Sequence, residues 1–244
     1  MNPIILIPAR LGSTRLPGKV LSDIAGAPMI VHVLRRALEA DLGPVAVACC
    51  EAAVADAVRA AGGKAVLTDP DLPSGSDRIF AALEQIDPEG RHDVIINLQG
   101  DLPAISPATV AAVLRPLAHA EYDIATLVAR ITTPAEAAAP SVVKCACAFG
   151  PAETAPALYF SRHEIPSGAG PLWHHIGIYA YRRAALARFV SLPASPLEQR
   201  EKLEQLRALE AGMRIGVAQV AHAPFGVDTA ADLEKARKLL GAQP

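Results

Sequence analysis

The chain has 244 residues, 51% of them apolar but only 4% aromatic, and a formal net charge of −2. That length suits one large α/β domain with a substantial core, expected to span 1–244 with a smaller lobe at about 132–205. No apolar run approaches the ~20 residues of a membrane-crossing helix, so membrane insertion is not expected. There is no overall basic field or aromatic platform for nucleic acid, and the N-terminal apolar stretch lacks the basic region of a signal peptide.

The first element is a buried strand at 4–7, Ile4-Ile5-Leu6-Ile7. It runs into Pro8-Ala9-Arg10-Leu11-Gly12-Ser13-Thr14-Arg15-Leu16-Pro17-Gly18-Lys19, a loop with three cations, two hydroxyls and two glycines. Folding alone does not require such density of positive charge. A polyphosphate does, because glycines let backbone N–H groups approach oxygen while Arg10, Arg15 and Lys19 balance the negative charge. The carboxyl end of a central strand is also where open α/β sheets bind ligands. The loop is not a Walker A motif, since five residues separate Gly12 from Gly18-Lys19 and Val20 replaces the magnesium-binding hydroxyl. Gly-x-Gly-x-x-Gly is absent as well.

Further strands at 45–49, 64–67, 94–98 and 124–128 alternate with helices at about 29–40, 51–61, 77–85 and 107–118. This alternation predicts a mainly parallel sheet covered on both faces. Cys49 and Cys50 are adjacent and Cys145 and Cys147 stand one apart, spacings that argue against disulfides and zinc; small buried thiols in a reducing cytoplasm are expected. Ser74-Gly75-Ser76-Asp77 offers a helix cap, and Ser106-Pro107 another with proline at the first helical position. Asn97-Leu98-Gln99-Gly100-Asp101 places Asp101 at a strand's carboxyl edge. If that strand neighbours the first, a carboxylate beside a triphosphate makes a Mg²⁺ site; a turn cap after Gly100 is the plainer alternative.

Beyond Thr132 the rhythm changes. Thr133-Pro134 through Pro140 reads as a turn and a short Ala-rich helix. Strands at 142–149, 157–160 and 176–181 then follow without an intervening helix, which predicts a small antiparallel lobe inserted in the α/β domain. His175, Gly177 and Tyr179 share one strand face, suited to a polyhydroxylated ligand or to plain packing. Ser195-Pro196-Leu197-Glu198 starts a helix to about Glu210, with Leu203, Leu206 and Leu209 inward and Glu204 and Gln205 open to a surface role. A strand at 215–220 precedes Gly226-Val227-Asp228-Thr229, where Asp228 could simply complement a helix dipole. Thr229-Ala230-Ala231-Asp232 opens the last helix.

Taken in order from Ile4 to Leu239, these motifs resemble those of sugar nucleotidyltransferases, most of all the 3-deoxy-manno-octulosonate (Kdo) cytidylyltransferases, or CMP-Kdo synthetases. The resemblance implies a Rossmann-like nucleotidyltransferase fold that transfers CMP from CTP to Kdo, yielding CMP-Kdo and pyrophosphate for lipopolysaccharide synthesis. It implies CTP and Kdo as substrates, Mg²⁺ as cofactor, and a homodimer. Implied nucleotide contacts are Pro8, Ala9, Arg10, Ser13, Arg15, Lys19, Ser74, Gly75, Arg78, Gln99 and Asp101. Lys19, Arg15, Asp101 and Asp228 carry catalysis by the same resemblance, with Asp101 and Asp228 jointly holding the metal. Ser74-Gly75-Ser76-Asp77-Arg78 is similar to the family stretch near the cytosine base. On the sugar side stand Gln99, Arg162, His175, Tyr179, Glu204 and Gln205, with Arg162 suited to the Kdo carboxylate and Leu203-Glu204-Gln205-Leu206-Arg207 matching a family segment. The chain departs from the family pattern at Pro73, at Leu102 and in a short loop between Ile165 and His174. The rival readings are a CMP-sialate synthetase, or another 2-keto acid sugar cytidylyltransferase, and a non-catalytic nucleotide-binding protein; Arg15, Lys19, Asp101 and Asp228 speak against the last.

Overall fold

The structure, a computed structural model, describes residues 1–12 and 16–241. Contacts group the chain into two compact units, Met1–Ala111 with the segment from Pro224 onward, and Ala112–Ala223.

The first unit contains β1 (Pro3–Ala9), a small hairpin of β2 (Asp23–Ile24) and β3 (Ala27–Pro28), α1 (Met29–Glu39), β4 (Val45–Cys49), α2 (Ala52–Ala60), β5 (Lys64–Leu67), α3 (Gly75–Ile86), β6 (Val94–Asn97) and α4 (Pro107–Ala112). The C-terminal helix, Ala230–Gly241, belongs to it. Its strands lie in the order β5-β4-β1-β6, and every neighbouring pair is parallel. Ile5, Leu6 and Ile7 of β1 are wholly buried, as a strand covered on both faces requires, and each large aliphatic side chain buried this way contributes roughly 1.5–3 kcal/mol. Met29, Ile30, Val33, Leu34 and Ala37 form the buried face of α1. The chain steps from β1 to β4 to β5, then crosses back to β6 on the other side of β1. The strand order therefore reverses between β1 and β6. That reversal opens a crevice at the carboxyl ends of these two strands, the usual ligand position in such sheets.

The second unit contains β7 (Ile124–Arg130), α5 (Pro134–Ala138), β8 (Lys144–Ala146), β9 (Thr154–Pro156), β10 (Tyr159–Ser161), β11 (Trp173–Arg182), α6 (Arg183–Ser191), α7 (Pro196–Glu201), α8 (Gln205–Glu210) and β12 (Ile215–Val220). Strands β11, β7, β12 and β9 are successive neighbours, and β8 pairs with both β11 and β10. Only β7 and β12 run parallel; the other pairings are antiparallel. These antiparallel pairings fit the antiparallel lobe read from the sequence, and the unit that holds them is wider than the expected 132–205.

Two expected helices are shorter than read. The one at 107–118 ends as an α-helix at Ala112 and resumes as a 3₁₀ turn at Arg115–Ala118, because Pro116 has no N–H for a helix interior. The one at 195–210 is divided into α7 and α8 by Lys202, whose φ of 56° is left-handed. Strand β9 was not foreseen, and the strand expected at 142–149 contracts to β8. All four cysteines are free, three of them buried. Among the described residues, no helix is long and apolar enough to cross a membrane.

Candidate active site

The site of the first unit follows from the β1–β6 pairing. Leu6 stands opposite Asn97, so the segments after Ala9 and after Asn97 emerge side by side. Gly100 permits that closeness: a Cβ there would lie 2.9 Å from the Pro8 carbonyl oxygen. After Gly18, at a left-handed φ of 69°, the chain enters a short 3₁₀ turn at Lys19. The Lys19 ammonium donates to Asp101 Oδ2 at 2.8 Å, to Asp228 Oδ1 at 3.1 Å and to the Val227 carbonyl at 3.0 Å. Its three protons thus have three acceptors. The Asp228 segment is held to the Asp101 segment by Val227 N–H donating to the Asp101 carbonyl at 3.0 Å. Burial alone would lower the Lys19 pKa, but the attraction and hydrogen bonds of Asp101 and Asp228 outweigh it and hold the pKa above its ordinary 10.5.

These groups border a cavity of about 380 Å³. Pro8, Ala9, Arg10, Lys19, Ser74, Gly75, Arg78, Gln99, Asp101 and Asp228 all line it, together with Gly12, Val20 and Gly100. Ser13 and Arg15 lie outside the described residues. Ser74 caps α3: its Oγ accepts from Ser76 N–H at 3.1 Å and Asp77 N–H at 3.2 Å and donates to Asp77 Oδ2 at 2.7 Å. The helix start therefore presents to the cavity without an open cap. Arg78 is 2% exposed; its Nη1 donates to Thr68 Oγ1 at 2.6 Å and to the Asp69 carbonyl at 3.1 Å, tying α3 to the segment after β5. Gln99 Nε2 donates to Asn97 Oδ1 at 3.1 Å.

The remaining expected residues belong to the second unit. His175 is buried, its Nε2 3.0 Å from Thr126 Oγ1 and its ring against Phe160 and Tyr179. Burial, with a smaller push from His174, lowers its pKa to about 3, so the ring is neutral. Burial, then Tyr181, Glu204 and Cys145, raise the Tyr179 phenol well above its ordinary value. Gln205 is 7% exposed, and its Nε2 is buried without a hydrogen-bond partner among the described residues. Glu204 is the N-cap residue of α8. The Arg162 guanidinium donates to the carbonyls of Glu201, Pro140 and Lys202 at 3.0, 3.1 and 3.3 Å, so its fork faces backbone here. Below it, the fully buried Lys144 ammonium donates to the carbonyls of Ala139 and Arg162 at 2.8 and 2.9 Å. Lys144 was missed from the sequence; a lysine within a three-residue strand gives no sign that its head is buried.

A 3-2-1-4 parallel order with a lysine and paired carboxylates at the switch point is the arrangement of an α/β nucleotide-binding protein. A family model described as "Cytidylyltransferase" matches residues 4–215. Relatives named 3-deoxy-manno-octulosonate cytidylyltransferase include one from Rhodospirillum centenum, 62% identical with 100% of this chain and 96% of the relative covered. Another, from Paramagnetospirillum magneticum, is 60% identical over 99% of both chains. A solved structure described as CMP:2-keto-3-deoxy-manno-octonic acid synthetase complexed with CTP superposes with a TM-score of 0.91 at 43% identity, covering 100% of each chain. A nucleotidyl transferase from Methanothermobacter thermautotroptrophicus shares the fold at a TM-score of 0.62 and 16% identity. The chain belongs to the cytidylyltransferase family, within its 3-deoxy-manno-octulosonate group.

Proposed function

We propose that the chain transfers the cytidylyl group of CTP to Kdo, releasing pyrophosphate and giving CMP-Kdo, in the cytoplasm, where it activates Kdo for lipopolysaccharide synthesis. The observation that carries this reading is the convergence of Lys19, Asp101 and Asp228 on a cavity walled by Pro8–Arg10, Ser74–Arg78 and Gln99–Asp101.

In the reaction the anomeric C2 hydroxyl of Kdo attacks the α-phosphorus of CTP in line. The new C–O–P bond forms as the bond from phosphorus to the bridging oxygen breaks, and pyrophosphate leaves with that oxygen. The hydroxyl proton passes to solvent. Positioning and charge stabilisation carry such a transfer, with little covalent work for the protein. Arg10, Arg15 and Lys19 neutralise charge gathering on the leaving pyrophosphate. The α3 start at Ser74 and Gly75 faces the cytosine, and Arg78 holds that helix end in place. Arg162, His175, Tyr179, Glu204 and Gln205, with Gln99, are assigned to Kdo. The neutral His175 serves there as a hydrogen-bonding ring and not as a cation. Arg162 reaches a carboxylate only by releasing backbone carbonyls.

The donor set fits Mg²⁺. Asp101 and Asp228 already share one cation, the Lys19 ammonium, within 3.1 Å, and two carboxylates completed by phosphate oxygens and water suit this ion. When bound, Mg²⁺ would neutralise α-phosphate charge and lower the pKa of the attacking hydroxyl. A homodimer is proposed on the family resemblance and is checked by light scattering of the purified chain. The decisive experiment incubates the chain with CTP, Kdo and Mg²⁺. Pyrophosphate release matched by CMP-Kdo in the mass spectrum is expected. No release, or turnover of N-acetylneuraminate in preference to Kdo, overturns the assignment.

A further inference from the structure

The parallel ladder between β1 and β4 stops at the pair Ala9–Cys49. On this edge Ile5 N–H donates toward the β4 side, to the Pro44 carbonyl at 2.9 Å. The period of two in a strand makes Leu11 the next N–H facing that side beyond Ala9. With the ladder ended, that donor needs another acceptor. It has one: Leu11 N–H donates to Glu51 Oε1 at 2.8 Å, across forty residues of sequence. The other face of the same residue is fixed too, because Gly18 N–H donates to the Leu11 carbonyl at 3.1 Å. Gly18 is followed directly by Lys19. Leu11 is thus clamped between Glu51 and the residue that launches the Lys19 turn.

A carboxylate this close to a polyphosphate site has an electrostatic cost, since it repels the ligand that Arg10 and Lys19 attract. Glu51 escapes most of that conflict by its position. It does not line the cavity, and it holds the loop from behind. One of its oxygens, Oε2, is buried without a hydrogen-bond partner among the described residues.

We propose that Glu51 is a positioning residue for nucleotide binding: by accepting the Leu11 N–H where the β1–β4 ladder ends, it sets the base of the turn that delivers Lys19 to Asp101 and Asp228. This rests on the CTP reading above and extends it to a residue outside the cavity. The role depends on an accepting oxygen, not on charge, so Gln at 51 should preserve it and Ala should not.

The test compares wild type, Glu51→Gln and Glu51→Ala by calorimetric CTP titration without sugar, followed by steady-state kinetics. Loss of a hydrogen bond transmitted to the loop predicts that Glu51→Ala weakens CTP binding about tenfold. Its KM for Kdo should hold within about twofold; Glu51→Gln should bind CTP within about twofold of wild type. Equal CTP affinity in all three chains overturns the proposal, as does equal loss in Gln and Ala, or a parallel rise in both KM values with a lowered melting temperature. A wild-type chain that binds no CTP overturns the nucleotide reading itself, a result the variants cannot mimic.

Discussion

Lys19 is the residue on which the arrangement turns. Its side chain is 13% exposed, against 33% for Asp101 and 44% for Asp228, so the cation is the most enclosed member of the triad. Two carboxylates on separate segments repel one another, and a cation between them offsets that repulsion. The ammonium therefore assembles the site before any ligand arrives and supplies positive charge to a leaving pyrophosphate. Lys19→Met keeps the stem and removes the charge. Loss of one such contact in the transition state predicts a fall of about 10²–10³ in kcat, with the far-ultraviolet circular dichroism unchanged. A variant within about threefold of wild type would remove Lys19 from the chemistry. At this scale the placing of Asp101 beside the Lys19 loop was legible in advance, from the ends of two apolar strand runs. Tertiary carbonyls were not legible. Nothing in Tyr159-Phe160-Ser161-Arg162 announces that the Arg162 fork faces Pro140, Glu201 and Lys202.

Among the elements, β1 and β11 show what sequence periodicity can and cannot carry. Four consecutive apolar residues in β1 mark a strand buried on both faces, and the parallel sheet follows from the helices between such runs. Lys202 gives no comparable signal, because a left-handed non-glycine residue is indistinguishable from its neighbours in composition, and α7 and α8 were therefore read as one helix. In β11 the alternation placed His175 and Tyr179 on one face; the pairing with β7 shifts register between Ile176 and Tyr179, yet the two rings still meet, and His175 itself is buried. A histidine in the unfolded chain takes a proton near pH 6.5, whereas folded His175 resists until about 3. Between those values the unfolded state binds more protons. Stability from this group is complete above about pH 6.5 and falls as pH drops, by about 1.4 kcal/mol per pH unit, until the folded ring protonates. Urea unfolding at about pH 7, 6 and 5 should show that slope in excess of the slope for His175→Gln. Parallel pH profiles for the two chains would mean that the ring is solvated.

For the whole molecule, the division into two units separates the two expected ligand sets along the chain, Gln99 excepted, which is assigned to both. Every described residue assigned to phosphate, base or metal falls in Met1–Ala111 or beyond Pro224, whereas Arg162, His175, Tyr179, Glu204 and Gln205 fall in Ala112–Ala223. The return of the chain to the first unit for Asp228 has a consequence. Ligand binding there couples the N-terminal loop to the C-terminal segment through Lys19, so both should be stabilised together. CTP at about 100 times its dissociation constant should add about 2.7 kcal/mol to unfolding. Hydrogen exchange should report where. With CTP alone, protection is expected in the peptides around Ala9–Gly12, Ser74–Arg78, Gln99–Asp101 and Val227–Asp228, with the Trp173–Arg182 and Gln205–Glu210 peptides responding once Kdo is added. Protection by CTP spread evenly over both units would contradict this partition of ligands. Protection of the N-terminal loop without the Val227–Asp228 peptide would show that the Lys19 contacts do not persist with nucleotide bound.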